Sequence, residues 1–330
     1  MPDIRSLGLS KEITSKIEQL GVSETQELSS IFELAEKEIT DYIGEGADKI
    51  KADLKGLAPV GKGEEPKEEV IYSFGVALEK IPAVKKAYPI PPVTAVQLPK
   101  EVNLINQMTG VQNQSPRETC VAFATVALME HKYKKDLNFS EQFQYWNCKN
   151  NDGIPNLEGT WLDISVPLLG SDGCCRENTW PYNSNKIPSN EGQGPPPAGA
   201  VAEAAKNKVN AHTKLAPTSV FSIKSALAGG YPVAFSVPVF STISANSTRV
   251  TGNILNPVAN QKPVGGHAMV FVGYKDSGES GIGGGRFYLR NSWGKQWAFK
   301  SMLGGKPTPG YGTISYSYIS SYGMEAFYIL

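Results

Sequence analysis

The sequence predicts an α+β protein, and three features of its 330 residues carry that expectation. Apolar residues recur at helical spacing through the first 57 positions. A single long apolar helix follows near residue 120, ahead of a polar, loop-rich middle. The last third then changes period, to short runs rich in Val, Phe and Tyr separated by glycine-rich turns. Helices first and strands afterwards read as a helical half and an antiparallel half that forms one sheet or barrel, with the cleft between them as the natural place for a site.

Taken in order, Leu7, Leu9, Ile13, Ile17 and Leu20 define a first helix that Gly21 stops. A second apolar run holds Leu28, Ile31, Phe32, Leu34, Ala35 and Ile39, and its Ser23-x-x-Gln26 opening matches a capping box. Residues 1–57 therefore form a small helical N-terminal region, either a partner-binding module or a cover for the downstream domain. Residues 58–97 begin with "APVGKGEEPKEEV", which has little to bury and reads as a linker. They continue into an extended segment in which Pro89, Pro91 and Pro92 forbid a helix. From Leu98 to the end the composition is that of one compact domain. Its stretch "NSNKIPSNEGQGPPPAG", residues 183–199, reads as a mobile surface loop. "YPVAFSVPVF", "GHAMVFVGYKD", "GRFYLRNSW" and "YGTISYSYI" read as antiparallel strands of one sheet or barrel.

Composition excludes several classes. With 32 basic and 32 acidic residues and no basic stripe, nothing points to nucleic acid. No stretch approaches the ~20 apolar residues that span a bilayer. The opening "MPDIRSLGLSKEITSK" lacks the layout of a secretory leader, so a cytoplasmic location is the default expectation, with secretion left open. Cys120, Cys148, Cys174 and Cys175 lack zinc-finger spacing and have only three histidines to assist them, so neither metal nor cofactor is expected. One bridge from Cys148 to Cys174 or Cys175 remains open.

On its own Cys120 reads as a small core residue at the front of an apolar helix. A thiol becomes a nucleophile only where an imidazole and a helix N-terminus stabilise its thiolate. His131 lies too far along the same helix, roughly 16 Å by the helical rise. His212 sits in the polar run "VNAHTKL" and reads as solvated. His267 opens a strand behind two glycines that allow close backbone approach.

Together these pieces carry a resemblance. "LPKEVNL", "VQNQSPRETCVAFA", "FSEQFQYWNC", "GGHAMVFVGY", "LRNSWGKQW" and "GYGTISY" occur in the order found in papain-like cysteine peptidases, so the region from Leu98 onward resembles that family. His267 and Asn291 follow Cys120 by roughly 150 and 170 residues, the second a little beyond the usual spacing. The resemblance implies a papain-like two-lobe fold, a helical lobe plus an antiparallel β-barrel-like lobe, and hydrolysis of peptide bonds in a peptide or protein substrate. It implies Cys120 as nucleophile, His267 as its base and acid, Asn291 as the group orienting the ring, and Trp293 as a cover over that contact. It also implies Gln114, with the Cys120 N–H, as the oxyanion donors. "NLEGTWL" falls where the family's substrate-pairing strand lies. Gly159, Thr160 and Trp161 would then border one substrate pocket, with Gly266 and Ala268 on its other side.

Departures from the family pattern shape further expectations. Arg117 stands where the family has one half of a disulfide, and Val121 replaces a tryptophan. Glu118 would raise the thiol pKa and Arg117 would lower it. Ser115, Pro116 and Glu118 alone spell a helix start with a capping box, whereas the resemblance starts the helix near Thr119, with Cys120 in the first turn. An extension before such a domain commonly inhibits it. Residues 84–96 are therefore expected to cross or border the cleft as an intramolecular inhibitor, with the helices as anchor. Transpeptidation or deamidation by the same residues, and a decayed peptide-binding protein, are the alternatives to hydrolysis.

Overall fold

The computed structural model describes residues 2–57, 69–77, 97–133 and 137–330. The expected inhibitory segment, residues 84–96, lies outside these. At the N-terminus a 3-10 turn, Ile4–Leu7, precedes α1 (Lys11–Gln19), α2 (Thr25–Leu34), α3 (Glu36–Ile43) and α4 (Ala47–Lys55). The second predicted helix is thus two, broken where Ala35 leaves helical geometry at φ −145°. Its capping box is Glu24 with Glu27, not Ser23 with Gln26, because the longer Glu27 side chain reaches back to the Glu24 N–H. Ile17, Leu28, Ile31, Ile39 and Ile50 make a core that also takes in Leu255 and Val258 from the sheet side. Polar contacts seal the junction: Arg286 donates to the Gly21 carbonyl at 2.8 Å, and Asn256 to the Gln19 carbonyl at 2.7 Å.

The helical lobe holds α5 (Cys120–Tyr133), α6 (Glu141–Asn151) and α7 (Leu162–Ser171), with the short α8 (Ala200–Ala204) beside them. Helix α5 is apolar around its whole circumference because it is buried from Cys120 through Glu130. The other lobe is built on strands β1 (Glu101–Asn103), β2 (His212–Lys214), β3 (Val233–Val239), β4 (Asn253–Ile254), β5 (Gly265–Asp276) and β6 (Gly285–Arg290). A two-stranded piece, β7 (Met302–Leu303) with β8 (Lys306–Pro307), stands apart, followed by β9 (Tyr311–Ser315) and β10 (Glu325–Ile329). Among the described residues the main sheet runs β2-β10-β3-β5-β6-β9-β4, with β1 added to β5; it is open rather than closed into a barrel.

Strand alternation separates two cores. Ala268, Val270 and Val272 of β5 join the apolar cluster of α5, whereas Met269 and Phe271 join a second cluster. That second cluster includes Ile223 and Leu227 of α9 (Val220–Ala228) and Ile319 of α11 (Tyr316–Tyr322). The remaining helix, α10 (Asn246–Thr251), leads into β4. Residues 183–199 do not behave as the free loop their composition predicts. Gly192 and Gly194 lie against the Trp146 ring, and the Asn183 and Glu191 carbonyls each accept from Arg117. A buried guanidinium holds a segment that has little apolar side chain of its own.

Candidate functional site

Three elements meet where the lobes join. Helix α5 begins at Cys120, so its thiol sits at the helix N-terminus and in the first turn, as the resemblance implies and the Ser115 capping reading does not. Strand β5 carries His267 and Ala268, and the Ala268 N–H, next in the chain to His267, donates to Cys120 Sγ at 3.3 Å. The turn after β6 carries Asn291, whose Oδ1 lies 2.8 Å from His267 Nε2. His267 Nδ1 is buried with no hydrogen-bond partner. Trp293 stacks on the imidazole, ring centres 4.5 Å apart and planes 21° from parallel. The indole is itself buried, so the stack covers one face of the imidazole.

Gln114 is fully buried. Its Nε2 donates to the Arg117 carbonyl at 2.9 Å and to Ser73 Oγ at 2.8 Å, and its Oε1 accepts from Ser292 Oγ at 2.5 Å. The amide is therefore oriented from both ends, with an N–H aimed into the cleft. Arg117 does not act on the thiol as expected. Its guanidinium turns away, against Gln142 and the 183–191 backbone, because the lobe interior offers it three oxygen acceptors. Burial is the main force opposing ionisation of Cys120, and the nearby Glu118 carboxylate adds to it in the expected direction. Burial, then Glu158 and Glu191, lift the carboxyl of Glu118 itself to about 7.

The cleft is filled by a part of this same chain that lies upstream of the expected 84–96 segment, where the linker passes into the proline-rich extended stretch. Residues 69–77 run through it as an extended strap. Gly75 N–H donates to Cys120 Sγ at 3.2 Å, its carbonyl accepts from Thr160 N–H at 2.9 Å, and Val76 N–H donates to the Gly266 carbonyl at 2.9 Å. Trp161 Nε1 donates to the Ala77 carbonyl at 2.9 Å. Val76 is buried in one cluster with Cys120, Trp161 and Ala268. Phe74 packs edge-on to His267 and Trp293. Gly159, at φ +80°, is so close that a Cβ there would stand 2.9 Å from the Gly75 carbonyl. All five residues predicted to border a substrate pocket thus surround the strap. The one sequence signal for it was Gly75 set among larger residues in "YSFGVA", a mark of close backbone approach.

This packing dictates the charge state. Burial pushes the Cys120 thiol up to about 12, against the opposing N–H bonds from Ala268 and Gly75. Burial pulls His267 down to about 4, although the Asn291 contact favours its protonated form. With the strap seated, both groups are neutral at pH 7. All four cysteines are free, so the bridge left open at Cys148 is not formed. Among the described residues no cluster of His, Cys, Asp or Glu has the makings of a metal site, and no helix is long and apolar enough to cross a membrane.

The family profile described as papain family cysteine protease matches residues 98–303. An uncharacterized peptidase C1-like protein of Acanthamoeba polyphaga mimivirus is 24% identical over 239 residues, 70% of each chain. Among solved structures, xylellain, a cysteine protease from Xylella fastidiosa, superposes with a TM-score of 0.64 at 23% identity, over 82% of this chain and 98% of that one. A procathepsin B of Trypanosoma congolense gives 0.55 at 14% identity, over 77% and 85%. At these identities the structural likeness speaks for the fold.

Proposed function

Because the chain belongs to the papain family of cysteine proteases, and so hydrolyses peptide bonds, we propose that Cys120, His267, Asn291 and Gln114 carry out the hydrolysis and that residues 69–77 inhibit it within the same chain. One observation carries the first part: an imidazole fixed by Asn291 on one nitrogen keeps its other nitrogen unpaired, in the same buried space as a thiol at a helix N-terminus. In the open enzyme His267 Nδ1 takes the Sγ proton, and the thiolate attacks the substrate carbonyl carbon. The oxyanion so formed accepts from Gln114 Nε2 and from the Cys120 N–H, one of the first-turn donors a helix cannot use itself. Nδ1 then protonates the departing amine, leaving a thioester. Water attacks it as Nδ1 receives a water proton, and the acid leaves as the thiol is restored.

The strap supports the second part because its polarity is wrong for cleavage. It presents an N–H, not a carbonyl carbon, to the sulfur, and Ser73 Oγ takes the Gln114 hydrogen that an oxyanion would need. The edge groups it does use, Thr160 N–H and the Gly266 carbonyl, are those an extended substrate would pair with. The test is cleavage of an unstructured protein by the full chain carrying Gly75→Ala, against the same chain also carrying Cys120→Ala. Hydrolytic fragments from the first alone are expected. Products joined to an added amine would replace hydrolysis by transpeptidation, and no turnover would reject the assignment.

A further inference from the structure

The helical-lobe wall of the cleft has two parts, the Gln114–Cys120 segment and the run Gly159–Trp161, and one face of α6 holds both from behind. Gln142, Tyr145 and Lys149 share that face by their i, i+3, i+7 spacing. Gln142 Oε1 accepts from Arg117 Nη1 at 2.7 Å, and the guanidinium carbon stands 5.2 Å from the centres of both the Tyr145 and Tyr182 rings. One turn along, Tyr145 Oη accepts the Gly159 N–H at 3.1 Å. Lys149, itself buried and paired with Asp152 at 2.8 Å, donates to the Gly159 carbonyl at 2.8 Å, with its ammonium 5.9 Å from the Tyr145 ring centre. Both backbone groups of Gly159 are thereby fixed, which aims the next N–H, that of Thr160, into the cleft.

The same cluster sets the oxyanion side. The Arg117 carbonyl accepts from Gln114 Nε2 at 2.9 Å and from Thr119 N–H at 2.9 Å. Tyr182 Oη donates to the Gln114 carbonyl at 2.8 Å and lies 2.8 Å from Thr119 Oγ1. Any swing of Arg117 therefore moves the donor amide. We infer that Arg117, Tyr145 and Lys149 form a positioning cluster that couples the oxyanion-donor segment to the peptide-pairing strand through α6. A planar, permanently charged guanidinium suits this, since it can bond in its plane while aromatic rings cover its faces.

The inference rests on the proposed roles of Gln114 and Cys120, and its test is kept separable from theirs. In the full chain carrying Gly75→Ala, the variants Arg117→Lys, Tyr145→Phe and Lys149→Met are compared per active site titrated with an irreversible epoxide. Arg117→Lys is expected to lower kcat about tenfold with KM within about twofold, and Tyr145→Phe to raise KM about tenfold. Alkylation of Cys120 by iodoacetamide, which needs no oxyanion donor, should stay within about twofold in each. Amide hydrogen exchange at residues 157–161 should rise on Arg117→Lys, a change that reports the coupling even if no substrate is turned over. Alkylation and turnover falling in the same ratio would overturn the inference. So would unchanged kcat and KM in all three variants with only Tm lowered, or unchanged exchange at 157–161.

Discussion

Gly75→Ala tests the strap at its tightest point. Gly75 passes so close to the α5 N-terminus that an added Cβ would stand 2.2 Å from the Glu118 carbonyl oxygen, 2.5 Å from its carbon and 3.1 Å from Cys120 Sγ. Two of these three are backbone atoms fixed by the start of a buried helix, so the strap must move by about 1 Å or more to restore ordinary contact. That shift breaks the bonds from Gly75 N–H to Sγ, from Thr160 N–H to the Gly75 carbonyl, from Val76 N–H to the Gly266 carbonyl, and from Gln114 Nε2 to Ser73 Oγ. At about 1 kcal/mol net for each, the closed state loses about 4 kcal/mol, roughly a thousandfold in its ratio to the open state. Water entering the opened cleft also removes the burial that keeps thiol and imidazole neutral, so the reactive ion pair becomes accessible. The assay is the rate of iodoacetamide labelling of Cys120 at pH 6, followed by intact mass with peptide mapping. Gly110→Ala is the control, since a Cβ there meets nothing within 4 Å. Parent and control should label slowly and Gly75→Ala faster by two orders of magnitude or more. Equal rates in all three would refute the claim that this segment closes the site.

Two further outcomes follow, one from the catalytic geometry and one from a buried carboxyl. In the Gly75→Ala background, Asn291→Ala removes the contact that favours protonated His267, so the imidazole pKa falls; kcat should drop by about 10- to 100-fold and the alkaline limb of the pH–rate profile should move to lower pH. A limb that stays in place would contradict the orienting role. Burial, with Glu130 and Glu177 nearby, holds the Glu141 carboxyl well above its ordinary value. The folded state then keeps a proton that the unfolded chain releases above about pH 4, so this group's contribution to stability is full below that pH and is lost as the pH rises toward the folded value. Glu141→Gln should therefore show a Tm advantage over the parent that widens from pH 4 to pH 8; a constant difference would count against it.

What local sequence determines here is what local physics can reach. The helical spacing of Leu28 and Ile31 and the alternation along "GHAMVFVGY" are each set within a few residues, and α2 and β5 carry them. Local sequence leaves the start of α5 undecided, because Ser115, Pro116 and Glu118 offer a cap of their own; the family pattern, which starts the helix near Thr119, agrees with the observed start at Cys120. Only tertiary structure could decide the rest. That Arg117 turns from the thiol toward Gln142, Asn183 and Glu191, that a polar loop at 183–199 is pinned rather than free, and that "YSFGV" fills the cleft all depend on partners tens to hundreds of residues away. A hydrogen-bonding group carries no record in its own neighbourhood of which distant acceptor will satisfy it. Burial decides that, and burial is a property of the assembled chain.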